Sequence, residues 1–344
     1  MFYFMISDER DSAQPMPKVN MISASAFLKK SSCSGNRLRE LFLKYPYHRC
    51  GAYGINREAF LEALWRDAAG AGNSFLITDG GVSGGPAGIA VLVPSAWDSA
   101  YFGKDIKEIR YLITASPELD GYPAARSLVK RAVSWCRNVN TDLLTARIDV
   151  NDAPAIYALS SCGFALADTI VTFVYRRGSR LRRKFRSLYR VRHASHSDSA
   201  FLETLAEKAF SKDRFHRDRR LNASAGGLFR NWIADACRKT SSGSECVLVA
   251  CRNDGRQAGF LSYALDKECL SACGSRIIGR GLSAVTPDAA GAYVSLVNKI
   301  LELTDEKYDI AEFSTQITNT EPVRIWQKMG LEFAGAKHTF HKWI

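Results

Sequence analysis

Apolar and polar positions along the chain fall into short alternating runs and helical stripes, and the order of these blocks occurs twice. SFLITDGG (74–81) and AGIAVLVP (87–94) read as the strands of a hairpin, with Gly and Asp turn residues between them. CVLVACRNDG (246–255) and AGFLSYAL (258–265) give the same pattern around an NDG turn. FLETLAEKAF (201–210) and LFRNWIADAC (228–237) carry apolar residues at helical spacing ahead of the second hairpin. Each hairpin is followed by an apolar strand ending at Pro117 or Pro287. A helix comes next, striped by Leu128, Ala132 and Trp135 in one half and by Val294, Val297, Ile300 and Leu301 in the other.

The ends of the two halves align in a single register. Aligning Gly163 with Gly330, an offset of 167, superposes DAPAIYALSSCGF (152–164) on NTEPVRIWQKMGL (319–331). Thr172-Phe173 then meets Thr339-Phe340, and a strand precedes each block: LLTARIDV (143–150) and IAEFSTQI (310–317). Two copies of one α/β unit explain this most simply. The expected divisions are a disordered stretch at 1–20, a first domain at 21–177, a linker at 178–192 and a second domain at 193–344.

Composition adds limits. A chain of 344 residues with 46% hydrophobic residues can fill two cores, and it has no apolar run of spanning length. MFYFMISDER lacks the apolar stretch of a secretory signal. Nine scattered cysteines without a CxxC pair fit reduced thiols in a cytoplasmic protein better than a disulfide framework or a zinc site. His338 and His341 stand three apart on one expected strand and so face opposite sides, which leaves no metal pair. The net charge of +12 is concentrated in RRGSRLRRKFRSLYRVR (176–192), with nine basic residues and no acidic one. Such a block suits a solvated connector or a phosphate-bearing partner.

The order helix–helix–hairpin–strand–helix–strand–helix–strand resembles the Gcn5-related N-acetyltransferase (GNAT) family, twice over across residues 60–344. STQITNTEPVRIWQKMGLEF resembles the family's fifth-strand and fourth-helix region. WDSAYFG (97–103), AFSKDRFHRD (209–218) with NWI (231–233), and STQITNT (314–320) are together similar to the dTDP-fucosamine acetyltransferase branch, which acetylates a nucleotide-linked amino sugar. The fold class implied is α/β (α+β): two tandem GNAT-type acyl-CoA N-acyltransferase domains, each a mixed central sheet flanked by helices.

What the resemblance implies about site residues differs between the halves. The family's donor loop follows the fourth strand and holds pyrophosphate on backbone N–H groups at a helix N-terminus. In the second half it falls on Ala284, Val285, Ala290, Gly291, Ala292, Tyr293, Val294 and Ser295, with Asn319 contributing to the same ligand. Tyr293 stands at the first motif glycine and Ser295 at the last. Trp326 occupies the place of the family's general-acid Tyr, although an indole N–H has no proton to give near neutral pH. In the first half Pro123 removes a backbone donor, Asp120 adds a negative charge and Leu159 replaces the Tyr, so that domain reads as degenerate.

For the acceptor side, His216 is the candidate base. Arg214 and Arg217 are candidates for pairing with diphosphate, and Gln316 for acceptor or pantetheine. Asn319 has the alternative of capping its helix. The catalytic set expected is thus His216, Asn319 and Trp326. The function implied is acetyl-CoA-dependent N-acetylation of an amino sugar, nucleotide-activated, in surface polysaccharide synthesis, in a chain able to form a homodimer. Two alternatives remain: a non-catalytic ligand-binding protein of the same fold, and a tRNA-dependent aminoacyl transferase, which the basic linker favours.

Overall fold

The computed structural model of the protein describes residues 19–23, 33–48, 53–70, 73–79, 86–240, 245–279 and 281–344. The stretch expected to be disordered lies outside these residues except for Val19 and Asn20, which begin the edge strand β1 (Val19–Ser23). In the first half α1 (Cys33–Lys44) and α2 (Arg57–Ala68) lead into the meander β2 (Ser74–Asp79), β3 (Pro86–Pro94) and β4 (Ile106–Thr114), with α3 (Ala96–Phe102) between the last two. α4 (Tyr122–Asn138), β5 (Leu143–Asp149), α5 (Ala153–Ser161) and the long β6 (Ala165–Arg176) follow. The second half opens with β7 (Arg190–His193), α6 (Ser199–Ala209) and α7 (Asn222–Thr240). The hairpin β8 (Glu245–Cys251) and β9 (Gln257–Leu265), then α8 (Lys267–Cys273), lead to a strand broken into β10 (Ile277–Gly279) and β11 (Ser283–Val285). α9 (Ala292–Lys307), β12 (Ile310–Gln316), α10 (Thr320–Met329) and β13 (Glu332–Trp343) end the chain.

Both predicted hairpins and the helices between them form as the periodicity requires. What periodicity does not show is how the halves join. One 13-stranded sheet runs through the molecule in the order β1-β2-β3-β4-β5-β13-β6-β12-β10-β9-β8-β7, with β11 paired to β9. The final strands are therefore exchanged: β13 inserts beside β5 of the first half, and β6 beside β12 of the second. The exchange is symmetric. Asp149 pairs with Lys337 and Gln316 with Ile170, and both partners differ by the repeat offset.

Burial follows this topology on both faces. On one face α4 and α5 cover Ile109, Leu144 and Ile148, and Phe340 from the far end of the chain completes that core. α9 and α10 cover Phe173, Tyr263, Ala311 and Phe313 on the same side of the second half. On the other face the early helices cross between halves. Phe60 and Leu61 of α2 pack on Ile277 and Ile310, while Leu228 and Phe229 of α7 pack on Ile106 and Leu143. Among the described residues no helix is long and apolar enough to cross a membrane.

Because β13 is an interior strand of the joined sheet, the halves should unfold together. Phe340 is 3% exposed, and Phe340→Ala should cost about 3–5 kcal/mol by the usual penalty for emptying an aromatic site. Urea denaturation followed by circular dichroism and by tryptophan fluorescence should show one coincident transition. Two separated transitions, with only the second half destabilised, would contradict the exchange.

Candidate functional site

Parallel strands open a gap in each half. In the second half β10 and β12 pair only at Ile277↔Ile310 and Ile278↔Ala311, and β11 then follows β9 away from β12. Gly281 makes the break possible: a Cβ there would lie 1.6 Å from the Ser262 carbonyl oxygen, so no side chain fits. The gap holds a pocket of about 70 Å³ whose lining includes Ser283, Tyr293, Glu312, Ser314 and Trp326. Alternation along β12 puts Glu312 and Ser314 on the face of α2, and Phe313 on the face of α9 and α10. The pocket thus reaches polar groups from both sides of the sheet.

Trp326 is 2% exposed and packs on Phe173 and Phe313 at ring-centroid distances of 5.5 and 5.7 Å. Its Nε1–H donates to the Tyr293 hydroxyl at 3.1 Å. The position expected to carry a phenol therefore carries an indole that holds a phenol from the neighbouring helix. Burial pushes the Tyr293 pKa far above its ordinary value, so the hydroxyl keeps its proton, while Trp326 and Ser283 act in the opposite direction. Glu312, on the other face, accepts a hydrogen bond from Tyr53 of the first half. Sequence reasoning missed Glu312; its one signal was an acidic residue flanked by the apolar Ile310, Ala311 and Phe313.

The donor loop is in contact with the chain itself. Gly291 caps α9 in the left-handed region at φ 86°, which suits glycine, but the atoms beside it belong to the linker. An added Cβ would sit 3.0 Å from Leu188 Cδ1. The Leu188 and Tyr189 N–H groups donate to Ser295 Oγ at 3.0 and 3.3 Å, and Asn298 Nδ2 donates to the Phe185 carbonyl at 2.8 Å. At the other end the Arg182 N–H donates to the Met329 carbonyl at 2.8 Å. Leu181, Phe185 and Tyr189 pack on the core below. Residues 181–189 thus form a strap from the end of α10 to the start of α9. Ser295 bonds the strap, and the open approach to Gly291 that the sequence suggested is taken by Leu188. Ala290, Ala292 and Val294 surround this helix start, with Ala292 fully buried. Ala284 and Val285 lie on β11, paired with β9.

The acceptor candidates lie elsewhere. Arg214 is paired with Asp98 of α3 at 2.7 Å and is mostly buried, so its charge is already neutralised. His216 Nδ1 lies 2.5 Å from Asp213, with its ring stacked on Phe229. Arg217 reaches the Ala167 carbonyl at 3.5 Å. These three flank Phe215, which belongs to the cluster over Ile106 and Leu143 near β5, whereas Trp326 and Tyr293 lie behind β12. Three strand spacings separate β5 from β12 in the sheet order, about 14 Å. The structure does not bring the two sets together. Gln316 and Asn319 stand at the end of β12. Asn319 takes the N-cap position of α10 without a side-chain capping bond, and its amide donates instead to Thr315 Oγ1 at 3.0 Å.

The first half has the corresponding gap. β4 and β5 pair from Ile106↔Leu143 to Ile109↔Ala146 and then part. A cleft of about 320 Å³ lies over the opening, lined by Tyr47, His48, Arg110, Arg147, Glu268 and Lys337 among others. On the opposite face α4 and α5 pack directly together through Ala125, Leu128, Ala158 and Leu159. Among the described residues no strap separates them.

No family model matches the sequence. The curated relative found is the spore coat polysaccharide biosynthesis protein SpsD of Bacillus subtilis, 25% identical over 151 residues. The match covers 42% of this chain and spans about half of that relative, 48%. Solved structures agree on architecture. A GCN5-related N-acetyltransferase from Sphaerobacter thermophilus superposes with a TM-score of 0.59 at 13% identity, over 94% of this chain and 95% of its own. A tandem GNAT protein of the clavulanic acid biosynthesis pathway gives 0.51 at 12%, over 95% and 98%. The glucosamine N-acetyltransferase region of a fungal multi-domain β-N-acetylglucosaminidase gives 0.56 at 11%, over 98% of this chain and 40% of that one. The fold is a tandem GNAT fold.

His48 makes the first cleft sensitive to acid. It is 8% exposed, its Nε2–H donates to the Phe42 carbonyl at 2.8 Å, and burial, with help from Lys337 and Arg57, lowers its pKa from 6.5 to about 4. The folded state keeps this ring neutral while the unfolded chain takes up a proton below about 6.5, so its contribution falls as pH drops toward 4. Between pH 7.5 and 5 the loss should reach about 2 kcal/mol. His48→Gln should lose correspondingly less over that range in urea titrations. Equal losses in both proteins would contradict a neutral buried His48.

Proposed function

We propose that the chain is an acyl-CoA-dependent N-acyltransferase that acetylates the amine of an amino sugar, with the chemistry at the gap between β11 and β12. The observation that carries this reading is the pocket itself. It places a carboxylate on one face of the sheet and a protonated phenol on the other. A thioester arm is slender enough for the parted strands, and an amine approaching from the α2 face meets Glu312. The likeness to a spore coat polysaccharide protein supports a sugar acceptor.

The roles follow from atom balance. Glu312 takes a proton from the incoming ammonium, and the freed nitrogen lone pair attacks the thioester carbonyl carbon. The tetrahedral intermediate collapses with cleavage of the carbon–sulfur bond, Tyr293 gives its hydroxyl proton to the leaving thiolate, and the second proton lost by the nitrogen as the amide forms returns to the Tyr293 oxygen. Trp326 holds that phenol rather than acting as the acid itself. The N–H and hydroxyl groups lining the gap are candidates to meet the oxyanion. His216, Arg214 and Arg217 fit a structural role, since Arg214 and Arg217 bond across the halves and His216 is held by Asp213 beside them. One observation favours a second reading: Leu188 covers Gly291, as it could in a descendant that kept ligand binding without transfer.

Thiol release from acetyl-CoA in the presence of free and nucleotide-linked amino sugars tests both. Turnover should appear with at least one of these acceptors. Glu312→Gln should lower kcat about 100-fold or more, as general-base loss does, with acetyl-CoA affinity kept. Tyr293→Phe should also lower kcat. Acetyl-CoA binding without turnover on any amine would favour the second reading, and full activity in Glu312→Gln would place the base elsewhere.

A further inference from the structure

The basic segment divides into paired and unpaired charges. At its ends Arg176 bridges to Glu332, Arg177 to Asp309 and Arg192 to Asp198, at 2.9, 3.4 and 2.7 Å. Between them Arg180, Arg182, Arg183, Lys184, Arg186 and Arg190 are exposed and make no ion pair among the described residues. A solvated connector has no need of a fixed backbone, yet this one is held by Met329, Asn298 and Ser295 and turns Leu181, Phe185 and Tyr189 inward. The cations are displayed on a rigid support, so little backbone entropy is lost when an anion binds them.

The position of the support is the second observation. Leu188 lies against Gly291 at the start of α9, two residues before Tyr293, which lines the β11–β12 pocket. A ligand whose narrow end entered that gap would have its bulkier end over the strap. Leu188 denies its phosphates the helix N-terminus, and the strap cations are what they meet instead. From this we infer that residues 180–190 form a phosphate-binding platform for the nucleoside diphosphate end of a ligand that serves the gap. The inference takes the location of the gap from the function proposed above. Phe185 and Tyr189 point inward, so the strap has no stacking platform of the kind that single-stranded nucleic acid uses. Leu188 is the one large apolar side chain it exposes, which is little for anchoring to a lipid surface.

Two sources share this chemistry, an acyl carrier and a sugar nucleotide, and two probes separate them: 3′-phosphoadenosine 5′-diphosphate and dTDP. Calorimetry on the full chain would compare wild type with R182Q/R183Q/K184Q/R186Q and with K130Q/R131Q/R137Q/K212Q, which removes equal charge elsewhere. An R183E/K184E variant guards against misfolding of the first, and melting temperatures accompany each. Wild type should bind at least one nucleotide, and the strap variants should bind it about 30-fold more weakly or worse, because several charge-assisted contacts are lost. The control variant should bind like wild type. Preference for the first probe identifies the acyl carrier as the source, and preference for dTDP the sugar nucleotide. The inference is overturned if folded strap variants bind both nucleotides as wild type does. It is equally overturned if the strap changes affect only a 20-nucleotide RNA or vesicles of phosphatidylserine and phosphatidylcholine. Turnover with unaltered nucleotide affinity in the strap variants would sink the platform alone, while nucleotide binding without turnover would leave the platform standing and remove the proposed reaction.

Discussion

The exchange of final strands is the constraint on which the other features depend. β13 supplies hydrogen bonds to β5 and to β6, and β6 in turn supplies them to β12. Each half therefore completes its sheet with the other half's strand. Backbone groups in mid-sheet must be paired, so neither half can release the other without exposing a full row of donors and acceptors. The junction also fixes what lies over it. α2 is carried onto Ile277 and Ile310, α7 onto Ile106 and Leu143, and the loop before α7 is tied to the last strand where Asp218 meets His341 and Trp343.

That cross-packing shapes both gaps. Tyr53 of the first half bonds Glu312 of the second, and Glu268 of the second half lines the cleft of the first. The halves differ on the opposite face. α4 and α5 close on each other, whereas the strap lies along α9 and reaches α10. The same fold thus leaves one gap facing a charged cleft but shut behind, and the other reaching both faces beneath a basic strap. Tyr293 shows how a local departure can be offset. It breaks the donor-loop pattern in sequence, yet its hydroxyl lies beside the indole that stands where a phenol was expected.

Much of the fold was legible because it rests on local periodicity. The hairpins, the stripe on α9 and the matching ends at Gly163 and Gly330 all come from spacing that a single element enforces. The strand exchange was not legible, since β6 and β13 carry the same pattern whichever partner they take. The candidate site was harder still. Arg214 looked available because sequence cannot show Asp98 lying 2.7 Å away, and DRFHRD resembled an acceptor motif while serving the inter-half contact. Glu312 was hidden for the converse reason, and Tyr293 was read only as a donor-loop position. Each breaks a local pattern, and only the parted strands bring them to one pocket.

In the proposed reaction the β11–β12 gap is a passage through the sheet between a donor on one face and an amine on the other. A crystal structure with a non-transferable thioether analogue of acetyl-CoA tests it most directly. The acyl end should lie between β11 and β12, within hydrogen-bonding reach of the Tyr293 hydroxyl, with Glu312 across the sheet. An analogue seated between β4 and β5, or bound with its acyl end outside both gaps, would contradict it.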